Sequence, residues 1–391
     1  MARSVTLTKT DEAHMIQVAT VPPLIFGAGS AGRLAELLPP GLRNARVVII
    51  SDPALVRLGF ADRVATGLHC DQVEIFSDIA GEPKYDEVQR AAECVQRVGA
   101  EVVVGLGGGS ALDTAKIAAA IAPGSCDPLE YALAATDLPK RTAFTVMVPT
   151  TAGTGSEVTS TNVFSGREGE KLWVWGAQTR GDLVVMDPDL TESLPPQIAA
   201  WCGMDAFVHA FEATTNRNSH KGIASYANGA MHTTRRALPR AIADAGDTDA
   251  RETLLLASCH AGLAIDACGT SIAHNLSHAL AGCAPVNHGL ATLLAFEVAL
   301  PWLVQQPTPQ IEGVATAQGL SSAAKLPGYV TGLIDKCQIE RRLPPSFSQI
   351  TVERLLAEAD RSANAPMRKA TARTVTEKDM ETFAEKLLAL A

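Results

Sequence analysis

The stretch Val102-Val103-Val104-Gly105-Leu106-Gly107-Gly108-Gly109-Ser110, continued as Ala111-Leu112-Asp113-Thr114-Ala115-Lys116, decides the fold of the N-terminal half. A β-branched run reads as a strand, good helix formers read as a helix, and the glycines mark the turn between them. Glycine there permits positive φ and lets a ligand approach the backbone closely. The new helix start offers unpaired N–H groups and a partial positive charge, which suits a pyrophosphate. Gly107, Gly108, Gly109 and Ser110 are therefore candidate phosphate-cradling residues. The pattern is neither G-x-G-x-x-G nor a P-loop, because no Gly-Lys-Ser/Thr follows. A tight turn without a ligand accounts for the same residues.

Outward from this turn, strand-like runs at 46–51, 72–76, 101–106, 141–148 and 182–187 alternate with helical patterns such as 85–98 and 110–121. Alternation of this kind implies a parallel sheet with helices on both faces. Residues 21–27 read as an extended edge before the first helix. Phe144–Pro149 runs into Thr150-Thr151-Ala152-Gly153-Thr154-Gly155-Ser156-Glu157. Hydroxyls and free amides thus crowd the carboxyl end of a strand, where open α/β sheets bind ligands. Helix-capping threonines would look the same. Val47-Val48-Ile49-Ile50 ends in Ser51-Asp52. An acid just past a strand accepts hydrogen bonds from an adenosine ribose and repels a 2′-phosphate, favouring NAD over NADP; it is equally a preferred N-cap.

Past Leu194-Pro195-Pro196 the strand signals thin out, and alanine- and leucine-rich helical patterns take over at 198–213, 222–238, 251–267, 271–281, 289–300, 352–360 and 377–391. Two domains are expected, 1–196 and 197–391, the first α/β with a parallel sheet and the second all-α. In Gly203-Met204-Asp205-Ala206-Phe207-Val208-His209, a carboxylate and an imidazole stand at i and i+4, hence on one helix face. His274 and His278 repeat that spacing, and His288 follows in a Pro-Val-Asn-His-Gly loop. Asp205, His209, His274 and His288 make a plausible shell for a divalent transition metal with one position open. His278, one turn from His274, is the candidate catalytic proton relay, with packing beside the ligands as its competing role. The cleft between the domains is the expected active site.

Gly107-Gly108-Gly109-Ser110 with Asp113 and Lys116, Pro149 to Glu157, Asp187-Pro188, Leu194-Pro195-Pro196, Gly203-Met204-Asp205 with His209, and His274, His278 and His288-Gly289 together resemble the iron-containing (group III) alcohol dehydrogenase family, in the family's order, over roughly residues 20–300. The resemblance implies a Rossmann-like dinucleotide-binding domain followed by a helical metal-binding domain. It also implies hydride transfer between an alcohol and an aldehyde or ketone. NAD is the expected cofactor, NADP less so, and Fe2+ the expected metal, with Zn2+ the alternative. Carried over by position, Asp205, His209, His274 and His288 match the metal ligands, and His278 matches a histidine near nicotinamide and metal. Asp52, Gly107, Gly108, Gly109, Ser110, Asp113, Thr150, Thr151, Thr154 and Lys171 are expected at the cofactor. A homodimer or larger homo-oligomer is implied too. Between Lys171 and Asp187 the chain departs from the family's aliphatic pattern with Trp173, Trp175 and Arg180. These either reshape the cleft or, for Arg180, serve a surface salt bridge. A sugar-phosphate cyclase resembling dehydroquinate synthase would share the frame, but no Lys/Arg cluster accompanies the ligands. A non-catalytic metal- or nucleotide-binding module is the other alternative.

Composition narrows the classes further. Hydrophobic residues make up 47% and charged residues 19%, which fits a globular chain with large cores. A net charge of −9 gives nucleic-acid or acidic-membrane binding no electrostatic support. No apolar run reaches about 18 residues, and the first residues, Met1 to Thr6, lack a hydrophobic signal core. The 8 cysteines show no C-x-x-C pairing, so a reduced, cytoplasmic protein acting on a small molecule is expected.

Overall fold

The computed structural model describes residues 21–79 and 81–391; the expectation about Met1 to Thr6 lies outside them. Eight strands are described: β1 (Leu24–Phe26), β2 (Val47–Ser51), β3 (Val73–Phe76), β4 (Val102–Gly107), β5 (Phe144–Pro149), β6 (Thr161–Ser165), β7 (Lys171–Trp175) and β8 (Leu183–Met186). Six of them form one sheet in the order β1-β8-β5-β4-β2-β3, with every neighbouring pair parallel. Strands β2, β4 and β8 are buried along their whole length, which is why they read as unbroken Val/Ile runs rather than as alternating ones.

Side chains alternate between the two faces with period two. Val48, Ile50 and Val103 join Val88, Val95, Leu112 and Ile117 of the helices Tyr85–Val98 and Gly109–Ile121 in one core. Val47, Ile49, Val102, Val104, Val146 and Val148 pack with Val64 and Leu68 of the Phe60–Leu68 helix on the other face. The chain runs outward from β2 to β3, returns to β4 on the far side of β2, and continues to β5. The direction of winding therefore reverses between β2 and β4, and a crevice opens at their carboxyl ends.

After β8 the chain is helical. The helices Pro196–Thr215, Lys221–Ala243, Thr248–Cys268, Ile272–Cys283 and His288–Leu303 build a third core with the shorter helices that follow. Phe211 meets the Phe296 ring edge-on at 4.8 Å between centroids. Asp247 caps the Thr248–Cys268 helix through the Ala250 N–H at 3.0 Å, and Asn287 caps the His288–Leu303 helix. Among the described residues no single helix is long and apolar enough to cross a membrane.

The two halves meet along the Thr248–Cys268 helix, whose Leu255 and Cys259 belong to the sheet's core. Its Gly262 lies against Gly155 so closely that a Cβ at residue 155 would fall 2.4 Å from the Gly262 Cα. One element differs from the sequence expectation. Thr161–Ser165 and Lys171–Trp175 form a separate antiparallel hairpin, with Val163 opposite Trp173. Arg180, just beyond it, does make a salt bridge, but a partly buried one: its guanidinium donates to Asp266 at 2.8 Å and to Ser160 Oγ at 2.7 Å, tying the hairpin to the Thr248–Cys268 helix. Trp175 is 57% exposed and lies open to solvent.

Candidate metal and nucleotide site

The Pro196–Thr215 helix carries Asp205 and His209 one turn apart on its buried face. His274 arrives on the Ile272–Cys283 helix and His288 at the first turn of the next. The four side chains each offer one donor atom, and these atoms all lie within 4.8 Å of one another. Asp205 Oδ1 is 3.7 Å from both His274 Nε2 and His288 Nε2, and Asp205 Oδ2 is 3.8 Å from His209 Nδ1. Those separations are too long for hydrogen bonds. The two Asp205 Oδ1 separations are in the range that two ligands, each about 2.1 Å from a shared cation, would subtend. Asp205 Oδ1 and His274 Nε2 are buried and have no hydrogen-bond partner among the described residues. Two orphaned polar atoms facing each other fit a cation between them, and one carboxylate with three imidazoles is a donor set that iron and zinc both accept.

Electrostatics point the same way. Burial alone would raise the Asp205 carboxyl, but His209, His288 and His274 outweigh it and hold it well below the usual carboxylate range. Burial likewise opposes charge on His274, yet Glu212 and Asp205 overcome it and hold the ring at about 9. His209 is held low, chiefly by burial, and its Nδ1 lies 3.3 Å from the Gly153 carbonyl oxygen. That carbonyl belongs to the loop after β5, so the sheet half touches the cluster directly.

A cavity of about 590 Å3 opens at the carboxyl ends of β2, β4 and β5. Asp52, Gly108, Ser110, Thr150 and Thr151 line it, with Leu194 and Pro195 across from them. Asp52 is both a helix cap and a cavity-lining residue. Its Oδ1 caps the next helix through the Ala54 and Leu55 N–H groups at 2.8 and 3.0 Å, and the residue also lines the cavity. Gly107, at φ +151°, ends β4; a Cβ there would strike Ala111 Cβ at 2.7 Å. Gly109 leaves room for Thr154, whose Cγ2 a Cβ would meet at 2.8 Å.

Other expected cofactor residues stand apart from this cavity. Asp113 accepts from Ser156 Oγ at 2.5 Å and from the Val163 N–H at 2.9 Å, so it ties the helix after β4 to the loop after β5 and to β6. The fully buried Lys116 donates to the Ser156 and Thr159 carbonyls. Thr154 Oγ1 accepts from the Ser156 N–H at 3.2 Å. Lys171 is buried at the start of β7 and ion-paired with Glu82. Burial pushes its amine down to about 8, and its charge disfavours protonation of His278 and His288. The His278 ring lies 5.8 Å from that of His288; burial, then His288 and His274, hold it well below its ordinary value, while its contact with the Asn364 side chain opposes them.

Spacing alone missed two residues. Glu212, three positions after His209, accepts from His274 Nδ1 at 2.6 Å. Asp187 accepts from the Gly29 and Ala31 N–H groups at 3.0 and 3.1 Å and binds Arg63, which makes the Asp187-Pro188 pair a clasp for the turn after β1. For Glu212 the signal was present: positions 205, 209 and 212 share one helix face.

Both halves of the chain match a known family. Residues 22–188 match the family described as iron-containing alcohol dehydrogenase, and residues 199–388 match the C-terminal domain of the Fe-containing alcohol dehydrogenase family. The chain is 32% identical to long-chain-alcohol dehydrogenase 1 of Geobacillus thermodenitrificans, over 75% of each chain. It is 30% identical to sulfoacetaldehyde reductase of Bilophila wadsworthia, over 70% of each. Its fold superimposes with a TM-score of 0.87 on sulfoacetaldehyde reductase from Bifidobacterium kashiwanohense, solved in complex with NAD+, at 25% identity over 97% of this chain and 100% of the other. These relatives are dehydrogenases and reductases, which favours an oxidoreductase over the cyclase alternative.

Proposed function

Because the chain belongs to the iron-containing alcohol dehydrogenase family, we propose that Asp205, His209, His274 and His288 hold the divalent metal of an NAD-linked oxidoreductase that interconverts an alcohol with an aldehyde or ketone. The observation that carries this reading is the convergence of the four donors, two of them buried and unpartnered, beside a loop that also lines the strand-end cavity. When bound, the metal polarises the substrate oxygen and the nicotinamide accepts or returns the hydride.

The chain's own residues prepare that step. Gly107, Gly108, Gly109 and Ser110 bring the start of the Gly109–Ile121 helix to the cavity, where its free N–H groups hold a pyrophosphate. Asp52 takes the adenosine ribose and disfavours a 2′-phosphate, so NAD is preferred to NADP. Thr150 and Thr151 flank the nucleotide from the β5 side, while Lys171 on the hairpin, ion-paired with Glu82, acts on the electrostatics of His278 and His288 rather than on the cofactor. Asp113 and Thr154 act by shaping the loop rather than by touching the cofactor. His278, whose ring lies 5.8 Å from that of His288, accepts the proton that leaves the substrate hydroxyl and passes it toward solvent. The Gly153 carbonyl orients His209. Iron is the proposed metal and zinc the alternative, since this donor set serves both.

On this reading residues 1–196 form the nucleotide domain and 197–391 the metal domain, and the enzyme works in the cytoplasm as a homodimer or larger assembly on a small alcohol or carbonyl compound. The test is the metal content of freshly purified protein, with NADH oxidation measured against aldehydes and oxo acids before and after chelation. About one iron or zinc per chain, with turnover lost on chelation and restored by the metal, supports the reading. Turnover that survives complete metal removal overturns it.

A further inference from the structure

Glu212 offers no atom to the four-donor cluster, yet three hydrogen bonds converge on its carboxylate. Oε1 accepts from the Ala273 N–H at 2.7 Å, and Oε2 accepts from the Ser271 N–H at 2.8 Å and from His274 Nδ1 at 2.6 Å. The two backbone donors open the Ile272–Cys283 helix, whose N-cap residue, Ser271, makes no side-chain cap of its own. Glu212 therefore caps the helix that carries His274, from a different helix. It is 1% exposed, so water does not compete for these bonds.

The third bond has a chemical consequence. A carboxylate only accepts, so the hydrogen of that bond belongs to His274 Nδ1, and the lone pair of the neutral ring falls on Nε2. Nε2 is the atom that lies 3.7 Å from Asp205 Oδ1 and is otherwise unpartnered. We propose that Glu212 is the positioning residue of the metal centre: it fixes the tautomer and rotation of His274, anchors the start of its helix, and adds a second carboxylate charge beside Asp205. Hydrogen-bonded carboxylates behind a ligating histidine raise its basicity and restrict its orientation, and losing one typically weakens metal binding about 10- to 100-fold. The inference rests on the reading of Asp205, His209, His274 and His288 as ligands.

A role confined to helix capping would affect folding and leave metal affinity alone, and the experiment separates the two. Glu212→Gln keeps the shape but supplies one acceptor oxygen for three donors and removes the charge. Full-length wild type, E212Q and the charge-conserving E212D are freed of metal, and their thermal stability is recorded. Each is then titrated with Co2+ against a competing chelator while the visible d–d absorption is followed. The expected result is Co2+ binding weakened about 10- to 100-fold in E212Q, with an altered d–d band and partial recovery in E212D. Cobalt affinity in E212Q within twofold of wild type, with an unchanged band, overturns the role of Glu212 and leaves the ligand reading standing. Wild-type protein that binds no cobalt overturns the ligand reading and this inference with it. If E212Q does not fold, E212D decides by the same criterion, because its carboxylate is one methylene short of His274.

Discussion

Replacing Gly262 by alanine should damage both cofactor and metal binding, although residue 262 touches neither site. A Cβ there would lie 2.6 Å from the Gly155 carbonyl oxygen and 2.7 Å from its Cα. Both atoms are backbone, so no rotamer relieves the clash. Ordinary contact needs roughly 3.5 Å or more, so the loop after β5 must retreat by about 1 Å. Overpacking of this kind costs about 1–3 kcal/mol. At about 2–4 °C per kcal/mol for a domain near this size, Tm should fall by several degrees. The same loop holds the Gly153 carbonyl 3.3 Å from His209 and presents Thr150 and Thr151 to the cavity. If about half the cost falls on the bound state, about 0.5–1.5 kcal/mol, NADH KM should rise about two- to tenfold, since roughly 1.4 kcal/mol is a factor of ten, and metal retention should drop. Gly313→Ala is the control. Its Cβ would meet nothing within 4 Å inside the Pro309–Ala317 helix, so Tm should hold or rise slightly, alanine being the better helix former by about 1 kcal/mol. A G262A protein with wild-type Tm and wild-type KM for NADH would refute the close-packing argument.

Three other perturbations test separate parts of the site. His274→Ala should reduce bound metal from about one per chain to near none and abolish turnover, while NADH fluorescence still reports nucleotide binding; full activity would remove His274 from the ligand set. Asp52→Gly should raise kcat/KM with NADPH relative to NADH at little cost in Tm, because glycine replaces an N-cap with a loss of only a few tenths of a kcal/mol; an unchanged ratio would leave Asp52 as a cap alone. Glu157, fully buried, has its carboxyl pushed by burial from 4.5 up to about 7. Between those values the folded state holds a proton that the unfolded chain has released, so this group's stabilisation is complete below the lower value and lost as pH rises through the upper one. Glu157→Gln should therefore stabilise the protein most at pH 8, by up to roughly 3 kcal/mol at 1.36 kcal/mol per pKa unit, and least near pH 5. A Tm difference that does not grow with pH would refute that assignment.

What could be read in advance depended on whether a signal was local. The Tyr85–Val98 helix and the buried runs of β2 and β4 announce themselves over consecutive residues, and their ends moved by at most a residue or so in the fold. Helices predicted at 198–213 and 222–238 instead run on to Thr215 and Ala243. The β6–β7 hairpin escaped because its strands are five residues each and their order comes from each other: Val163 pairs with Trp173 across a turn. Arg180 escaped for a related reason. Its partner, Asp266, is 86 positions away, and nothing near either residue distinguishes a tie between domains from a surface charge.

The metal cluster shows where spacing stops being informative. The i, i+4 rule places Asp205 with His209 and, equally, His274 with His278. Only the first pair faces inward together at the cluster. On the second helix His274 Nε2 turns to Asp205, and the other nitrogen near that carboxylate comes from His288, on the next helix. A periodicity argument sees one helix at a time, whereas the donor set is assembled by three. Glu212 is the converse case. Its position on the face of Asp205 and His209 was visible, but an acid on a helix face means little until Ser271, Ala273 and His274 close around it from the neighbouring helix. The groups that convert a cluster of donors into a site are thus the buried acceptors behind it, and they are recognised by the bonds they complete rather than by their spacing.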